Sequence, residues 1–271
     1  MSVTAQTNPA PLRVMTYNLR FDNPADGENR WSNRKDRVAA LIRFHCPDVF
    51  GVQEALPHQL HDLETALPEY GWYGAGRDDG KEQGEFSAVF YRRTRLAVLD
   101  QGTFWLSPTP EQPGKGWDAN VVRVCSWVKL RDARTGGALY HFNTHFDHVG
   151  EEARQESAKL ILARMQATAG ELPAILTGDL NTDPGSVAYR TLANNPSLRD
   201  AKIMSKTPHY GPEATWATFD VRQHHGPSDR IDYIFVTPQF TVLKHATLTD
   251  SQELRYPSDH LPVLAEVVVR E

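Results

Sequence analysis

The chain has 271 residues, which is long enough to bury a full hydrophobic core, and its 40% hydrophobic and 23% charged residues are typical of a globular protein in water. A formal net charge of −5 argues against a surface wholly adapted to nucleic acid, although a local basic groove stays open. No stretch reaches the roughly 18 apolar residues that a membrane span requires, so no membrane partner is expected.

The N-terminus, residues 1–11, is polar and contains two prolines, which predicts a flexible tail. It has neither the positive charges nor the apolar run of a signal peptide, and we therefore expect a cytoplasmic protein. No linker-like segment divides the rest of the chain, so residues 12–271 are predicted to form a single domain.

The first half of the chain alternates between strand-like and helix-like patterns. Two amphipathic helices are predicted, from about Arg34 to His45 and from about Leu56 to Leu67. The predicted strands of this half cover residues 12–17, 48–52, 86–91, 96–99, 121–130 and 139–146. Residues 105–120 contain three prolines and two glycines, which predicts a loop.

The second half begins with a helix predicted over 150–169 and a strand over 173–178. A short helix near 185–193 is followed by a long polar loop to about Asp229, and three strands end the chain. Because strands and helices alternate irregularly, the pattern predicts an α/β fold with two mixed, mostly antiparallel sheets packed face to face and helices outside.

Short polar clusters stand at the ends of six of these strands. They are Asn18, Gln53-Glu54, Asn143-Thr144-His145, Asp179-Leu180-Asn181, Asp232 and Asp259-His260. The first four follow a strand and the last two precede one. All six clusters meet at one rim of the fold if the last two strands run antiparallel to the others.

The residue types in these clusters indicate a metal site with acid–base groups beside it. Carboxylates that gather in one place repel each other, and a bound divalent cation removes that repulsion. Oxygen ligands favour Mg²⁺ or Mn²⁺ over Zn²⁺, and the two histidines suit proton transfer better than metal binding. Hydrolysis of a phosphate ester requires this combination. Each cluster alone is an ordinary turn or helix cap, so the inference depends on their joint occurrence.

The order Thr-Tyr-Asn at 16–18, Gln-Glu at 53–54, Asn-Thr-His at 143–145, Gly-Asp-Leu-Asn at 178–181, Arg-Ile-Asp-Tyr at 230–233 and Ser-Asp-His at 258–260 resembles the endonuclease/exonuclease/phosphatase superfamily. The resemblance covers about residues 12–269. It implies a four-layer α/β/β/α sandwich, one or two Mg²⁺ or Mn²⁺ ions, and a catalytic domain that hydrolyses phosphate esters.

The resemblance also implies roles for the residues of the clusters. Glu54 is similar to the principal metal ligand, with Asn18 and Asp259 nearby. Asp179 matches the residue that orients or deprotonates the attacking water. Asn181 and His145 match the groups that hold the scissile phosphate, and His260 pairs with Asp232 for acid–base catalysis. Which histidine transfers which proton stays open.

Further segments, among them Trp31 to Lys35, Phe104 to Ser107 and Gly116 to Ala119, resemble a bacterial subgroup that includes sugar-phosphate phosphatases. Candidate substrate-binding residues are Arg77, Trp105 and Arg123. For Arg123, a structural ion pair is an equal alternative. Four basic residues crowd one helix start, where they form either a solvated face or a contact for an anionic substrate; they are Arg30, Arg34, Lys35 and Arg37.

The sequence therefore predicts a metal-dependent phosphohydrolase that acts on a small phosphorylated molecule by direct attack of water. A nuclease or phosphodiesterase acting on DNA or RNA is the first alternative, and the acidic net charge weighs against it. A binding protein that kept the fold without catalysis is the second. The complete set of polar clusters weighs against that reading.

Overall fold

The computed structural model describes residues 11–223 and 225–270. The predicted N-terminal tail over 1–11 lies outside the described residues except for Pro11, whose carbonyl oxygen accepts a hydrogen bond from Arg95 Nη1 at 2.7 Å. None of the helices in the described ranges combines the length and the apolar character needed to cross a membrane.

The described strands are β1 (Leu12–Asn18), β2 (Val49–Ala55), β3 (Tyr70–Tyr73), β4 (Phe86–Arg92), β5 (Leu96–Trp105), β6 (Val124–Asp132), β7 (Ala138–His145), β8 (Ala174–Asp179), β9 (Arg199–Asp200), β10 (Asp232–Val236), β11 (Phe240–Thr247) and β12 (Val263–Val269). The described α-helices are α1 (Trp31–His45), α2 (Pro57–Ala66), α3 (Glu151–Ala169), α4 (Val187–Ala193) and α5 (Ala201–Met204). Short 3₁₀ helices lie at Pro24–Asn29 and Pro227–Asp229.

The strands form two mixed six-stranded sheets, in the orders β11-β12-β1-β2-β4-β3 and β5-β6-β7-β8-β10-β9. The pairs β1–β2 and β7–β8 are parallel, whereas β12 runs antiparallel to β1 and β10 runs antiparallel to β8. The predicted orientation of the final strands is confirmed. The four strand ends and two strand starts that carry the polar clusters therefore lie at one rim.

Three apolar clusters hold the layers together. One packs α1 and α2 against the first sheet, with Trp31 and Phe50 among its members, and a second packs α3 and α4 against the other sheet. The third lies between the two sheets and is rich in valine and leucine, including Val49 and Leu130. The predicted four-layer α/β/β/α sandwich is confirmed.

A polar group is buried at the centre of the sandwich, where the two sheets face each other. Asn143 of β7 donates two hydrogen bonds to the first sheet, to the carbonyl oxygens of Val52 at 2.8 Å and Ala88 at 2.9 Å. Its amide oxygen accepts from Gln53 and Thr177 at 2.6 and 2.9 Å. A Cβ at position 51 would stand 2.2 Å from that oxygen, so only glycine allows this close approach.

Several boundaries differ from the prediction. The strand β3 was not predicted, and β5 continues to Trp105 through a bulge between Val98 and Asp100. The strand predicted from 121 begins only at Val124, and the predicted loop before Asp229 contains β9 and α5. The first helix starts one turn earlier than expected, at Trp31.

Candidate active site

The rim that carries the polar clusters encloses a cleft of about 440 Å³. It is lined by residues from both sheets, among them Glu54, His145, Asp179, Asn181, Asp259 and His260. A larger cavity of about 540 Å³, between the end of α3 and residues 237–239, has Glu171 as its one ionisable lining residue. We therefore place the chemistry in the smaller cleft.

In the second sheet, three of the predicted catalytic residues are neighbours across adjacent strands. His145 of β7 pairs in register with Asp179 of β8, and Asp179 pairs with Asp232 of β10. His145 Nε2 lies 3.3 Å from Asp179 Oδ2, and Asn181 Nδ2 lies 2.9 Å from the same imidazole nitrogen. The backbone thus brings an imidazole, an amide and two carboxylates together.

In the first sheet, Glu54 enters the cleft at an irregular point of β2. The register with β4 shifts between Val52 and Ala55. Glu54 has a φ of +61°, a left-handed backbone conformation that residues other than glycine seldom adopt. Glu54 Oε2 accepts a hydrogen bond from Phe21 N at 3.1 Å. The bulge turns the Glu54 carboxylate into the cleft, where a regular strand would not place it.

Asn18 joins the two halves of the cleft. Its amide nitrogen donates to Glu54 Oε1 at 3.0 Å and to Asp179 Oδ2 at 2.9 Å, while its amide oxygen accepts from Arg20 N at 2.9 Å. Asn18 is fully buried. It therefore holds together a carboxylate of the first sheet and a carboxylate of the second.

Burial and mutual repulsion disfavour the ionised forms of the carboxyl groups in the cleft. Burial and the neighbouring Asp232 raise the pKa of Asp179 to about 7, and burial together with Glu54 raises the pKa of Asp259. One ligand atom each from Glu54, Asp179 and His260 lies within 4.8 Å of the others. The carboxylates of Glu54 and Asp179 in this group fit a divalent cation, which would favour their ionised forms.

The two histidines of the cleft have opposite surroundings. Burial, followed by the nearby cations of which Arg123 is the first, lowers the pKa of His145 well below the ordinary value. Burial alone would also lower the pKa of His260, but Asp232, Asp179 and Asp259 outweigh it and raise that pKa well above the ordinary value. His145 is therefore neutral and His260 is charged near pH 7 before any cation binds.

A second wall of the cleft is made by two arginines and a glutamate. Arg77 Nη1 lies 2.6 Å from Glu85 Oε2, and Arg123 Nη1 lies 3.8 Å from the same oxygen. Arg123 Nη2 also lies 3.2 Å from His148 Nδ1. Arg77 and Arg123 thus line the cleft, and each also forms an ion pair with Glu85.

Glu85, which was not among the predicted site residues, and His148 belong to this wall. The sequence carries a signal for Glu85, because a turn with two glycines separates it from Arg77. In the structure this turn reverses the chain, and Arg77 N donates to Glu85 O at 3.1 Å. Opposite charges eight residues apart across such a turn indicate a cross-strand pair.

Trp105 is not among the residues that line the cleft. Its side chain is buried, and its indole nitrogen donates to the carbonyl oxygen of Arg77 at 2.7 Å. Trp105 therefore contacts the loop that carries Arg77 rather than the cleft itself.

Three of the four basic residues at the start of α1 have partners within the protein and so do not share one anion site. Arg30 is paired with Asp22 at 3.1 Å and Lys35 with Asp62 at 3.0 Å. Arg34 is only 1% exposed, and its hydrogen bonds go to the backbone of the chain.

These features define a member of a known family of phosphoester-cleaving enzymes. The family model described as "Endonuclease/Exonuclease/phosphatase family" matches residues 15–260, and the chain belongs to that family.

A family protein of known structure from Bacteroides thetaiotaomicron is 41% identical, with a TM-score of 0.94, over 97% of this chain and 100% of that one. A mannosyl-6-phosphatase from the same organism is 41% identical, with a TM-score of 0.92, over 95% and 99%. The Ccr4 exoribonuclease subunit of Emericella nidulans is 20% identical over 98% of this chain, which spans 53% of that protein. This chain is a hydrolase that acts on phosphoester bonds.

Proposed function

We propose that this chain is a divalent-metal-dependent phosphatase that removes phosphate from a small phosphorylated molecule, with sugar phosphates as the first class to test. The observation that carries the proposal is the meeting of Glu54, Asp179 and His260 within 4.8 Å across the two sheets. The extended similarity to a mannosyl-6-phosphatase supports the choice of substrate class. A cytoplasmic location and a single domain over 12–271 stay predictions.

For the metal, the oxygen-rich donor set supports Mg²⁺ or Mn²⁺. We propose Glu54 as the principal ligand, with Asp259 beside it. Asn18 would act mainly by orienting carboxylates, since its amide nitrogen faces Glu54 and Asp179. When bound, the cation would neutralise phosphate oxygens and the leaving oxygen.

The side chains around this site would perform the remaining steps. Asp179 lies between the two histidines, at 3.3 Å from His145 and 3.8 Å from His260, and we propose that it orients or deprotonates the attacking water. Asn181 and His145, in mutual contact, would hold the scissile phosphate. His260, held by Asp232, would stabilise or transfer protons, and Arg77 and Arg123 would contact the substrate.

The test offers the purified protein, with Mg²⁺ or Mn²⁺, a choice of mannose 6-phosphate, another phosphomonoester, a phosphodiester, plasmid DNA and RNA. We expect release of phosphate from the monoesters and none from the Asp179→Asn variant. Cleavage of diester or nucleic acid without monoester turnover would favour the nuclease alternative, especially if activity fell steeply between about 50 and 200 mM salt. Metal binding without any turnover would favour the non-catalytic alternative.

A further inference from the structure

Arg34 is a buried cation whose hydrogen bonds to described residues all end on backbone carbonyl oxygens. Its Nε donates to Asn29 O at 2.9 Å, and its Nη2 donates to Arg20 O at 2.5 Å. Its Nη1 donates to Leu19 O and, at 3.2 Å, to Pro257 O. A buried charge requires such partners, and the planar guanidinium can serve several carbonyls at once.

The carbonyls that Arg34 binds belong mainly to two segments that carry the site. Leu19 and Arg20 directly follow Asn18 at the end of β1. Pro257 directly precedes the Ser-Asp-His segment that supplies Asp259 and His260. These two segments are distant in the sequence, and Arg34 connects them from the first turn of α1.

The contacts continue from these carbonyls to the carboxylates. Arg20 N donates to Asn18 Oδ1, which turns the Asn18 amide nitrogen toward Glu54 and Asp179. The next amide, Phe21 N, donates to Glu54 Oε2. The backbone that Arg34 fixes is therefore the same backbone that orients both carboxylates.

The second segment is fixed in the same way. Ser258 directly follows Pro257, whose carbonyl oxygen accepts from Arg34. Its Oγ donates to Asn18 O at 2.8 Å. Two rings pack against the guanidinium, with the Trp31 ring centre at 5.1 Å and the Phe219 ring centre at 5.6 Å, and restrict its position.

We propose that Arg34 is a positioning residue that forms the cation site before the cation arrives, by fixing the segments 19–21 and 257–260 against each other. This inference rests on the proposed function, because it assumes that a divalent cation binds at Glu54. A residue that merely stabilises the fold would have no preference for these two segments, whereas Arg34 binds the carbonyls that flank them.

The test compares Arg34→Lys with Lys35→Met in the full-length protein. Lysine keeps the charge but places its three donors on one nitrogen, so it cannot reach all the carbonyls that Arg34 serves from three separate nitrogens. Lys35 is the next residue on the same helix, and its loss removes only an ion pair with Asp62. Calorimetric titration of the metal-free proteins with MnCl₂ gives the affinities, and thermal melts in EDTA report folding.

We expect the Mn²⁺ affinity of Arg34→Lys to fall at least tenfold, with a parallel fall in kcat, while that of Lys35→Met stays within twofold of wild type. Unchanged Mn²⁺ affinity in a folded Arg34→Lys protein would overturn the inference. Failure of the wild-type protein to bind Mn²⁺ would instead remove the proposed function on which it rests.

If Arg34→Lys does not fold, hydrogen exchange of the wild-type protein tests whether the cation site is formed before the cation binds. A preformed site requires that the amides of Arg20 and Phe21 be protected in EDTA to the same degree as with Mn²⁺. Protection that develops only on addition of Mn²⁺ contradicts the inference.

Discussion

The imidazole of His260 is held by the carboxylate of Asp232, with 2.9 Å between Nδ1 and Oδ2, and both side chains are buried. The other oxygen of Asp232, Oδ1, has no hydrogen-bond partner among the residues that the structure describes. Asp232 is itself positioned by Thr215, whose hydroxyl accepts from Asp232 N at 2.9 Å. One carboxylate thus fixes the orientation of the ring and supplies the charge beside it.

Asp232→Asn should keep the position of His260 but remove the negative charge. We expect kcat for a phosphomonoester to fall by about 10²-fold or more, since a positioned acid–base group typically contributes that much. Steady-state kinetics measure the effect, and a far-ultraviolet circular dichroism spectrum shows whether the fold is kept. Wild-type kcat in a folded variant would exclude an acid–base role for the pair.

Glu54→Gln should remove the stabilisation that a divalent cation gives the protein. A ligand at 100 times its Kd stabilises the folded state by about 2.7 kcal/mol, which corresponds to a rise in Tm of about 5–10 °C for a domain of this size. We expect this rise with MgCl₂ for wild type and its loss in Glu54→Gln, measured by thermal melts. In EDTA the variant should melt no lower than wild type, because one carboxylate charge is gone. An equal rise in both proteins would place the cation elsewhere.

Trp105→Phe distinguishes direct substrate binding by Trp105 from support of the loop that carries Arg77. Loss of the hydrogen bond to Arg77 O should cost about 1 kcal/mol in the free energy of unfolding, with KM changed by less than about threefold. Arg77→Met, which removes a charged donor from the cleft, should raise KM by roughly tenfold or more. Urea denaturation and steady-state kinetics provide the two readouts. A tenfold rise in KM for Trp105→Phe would support direct contact with the substrate.

Asn143→Leu should destabilise the protein without altering the cleft chemically. The change removes the buried hydrogen bonds that Asn143 makes to carbonyl oxygens of the first sheet and to the side chains of Gln53 and Thr177, which should cost about 3 kcal/mol or more. Urea denaturation measures this loss. The surface change Asn120→Leu serves as the control and should stay within about 0.5 kcal/mol of wild type.

His141 should make the stability of the protein depend on pH. Burial lowers the pKa of His141 to about 3, so the folded protein keeps the ring neutral while the unfolded chain takes up a proton near pH 6.5. The contribution is fully present above pH 6.5 and is lost as pH falls toward 3, by about 2 kcal/mol at pH 5.

His141→Gln removes this titration and retains an amide that can bond to Thr177. Urea denaturation between pH 5 and 8 should therefore show a shallower fall in stability for the variant. Parallel curves for the two proteins would mean that His141 does not carry the effect.

The rim of polar clusters was predictable because it depends on strand direction and on residue types that have few other reasons to meet. The burial of Arg34 was not, since a charged residue in the first turn of a helix is ordinarily solvated. Its partners are backbone carbonyls of residues 19, 20, 29 and 257, and no side-chain pattern in the sequence predicts such contacts. The strand β3 was missed because four residues, one of them glycine, give too short an alternation to identify.

The two halves of the cleft belong to different sheets, so their separation depends on the distance between the sheets as well as on the contacts of Asn18 within the cleft. The sheets approach each other closely where Gly51 faces Asn143, and Asn143 is two residues before His145 on β7. An added methyl group at position 51 would push the sheets apart and draw His145 away from Glu54. A substitution that never touches substrate or cation can therefore change the spacing of the catalytic groups.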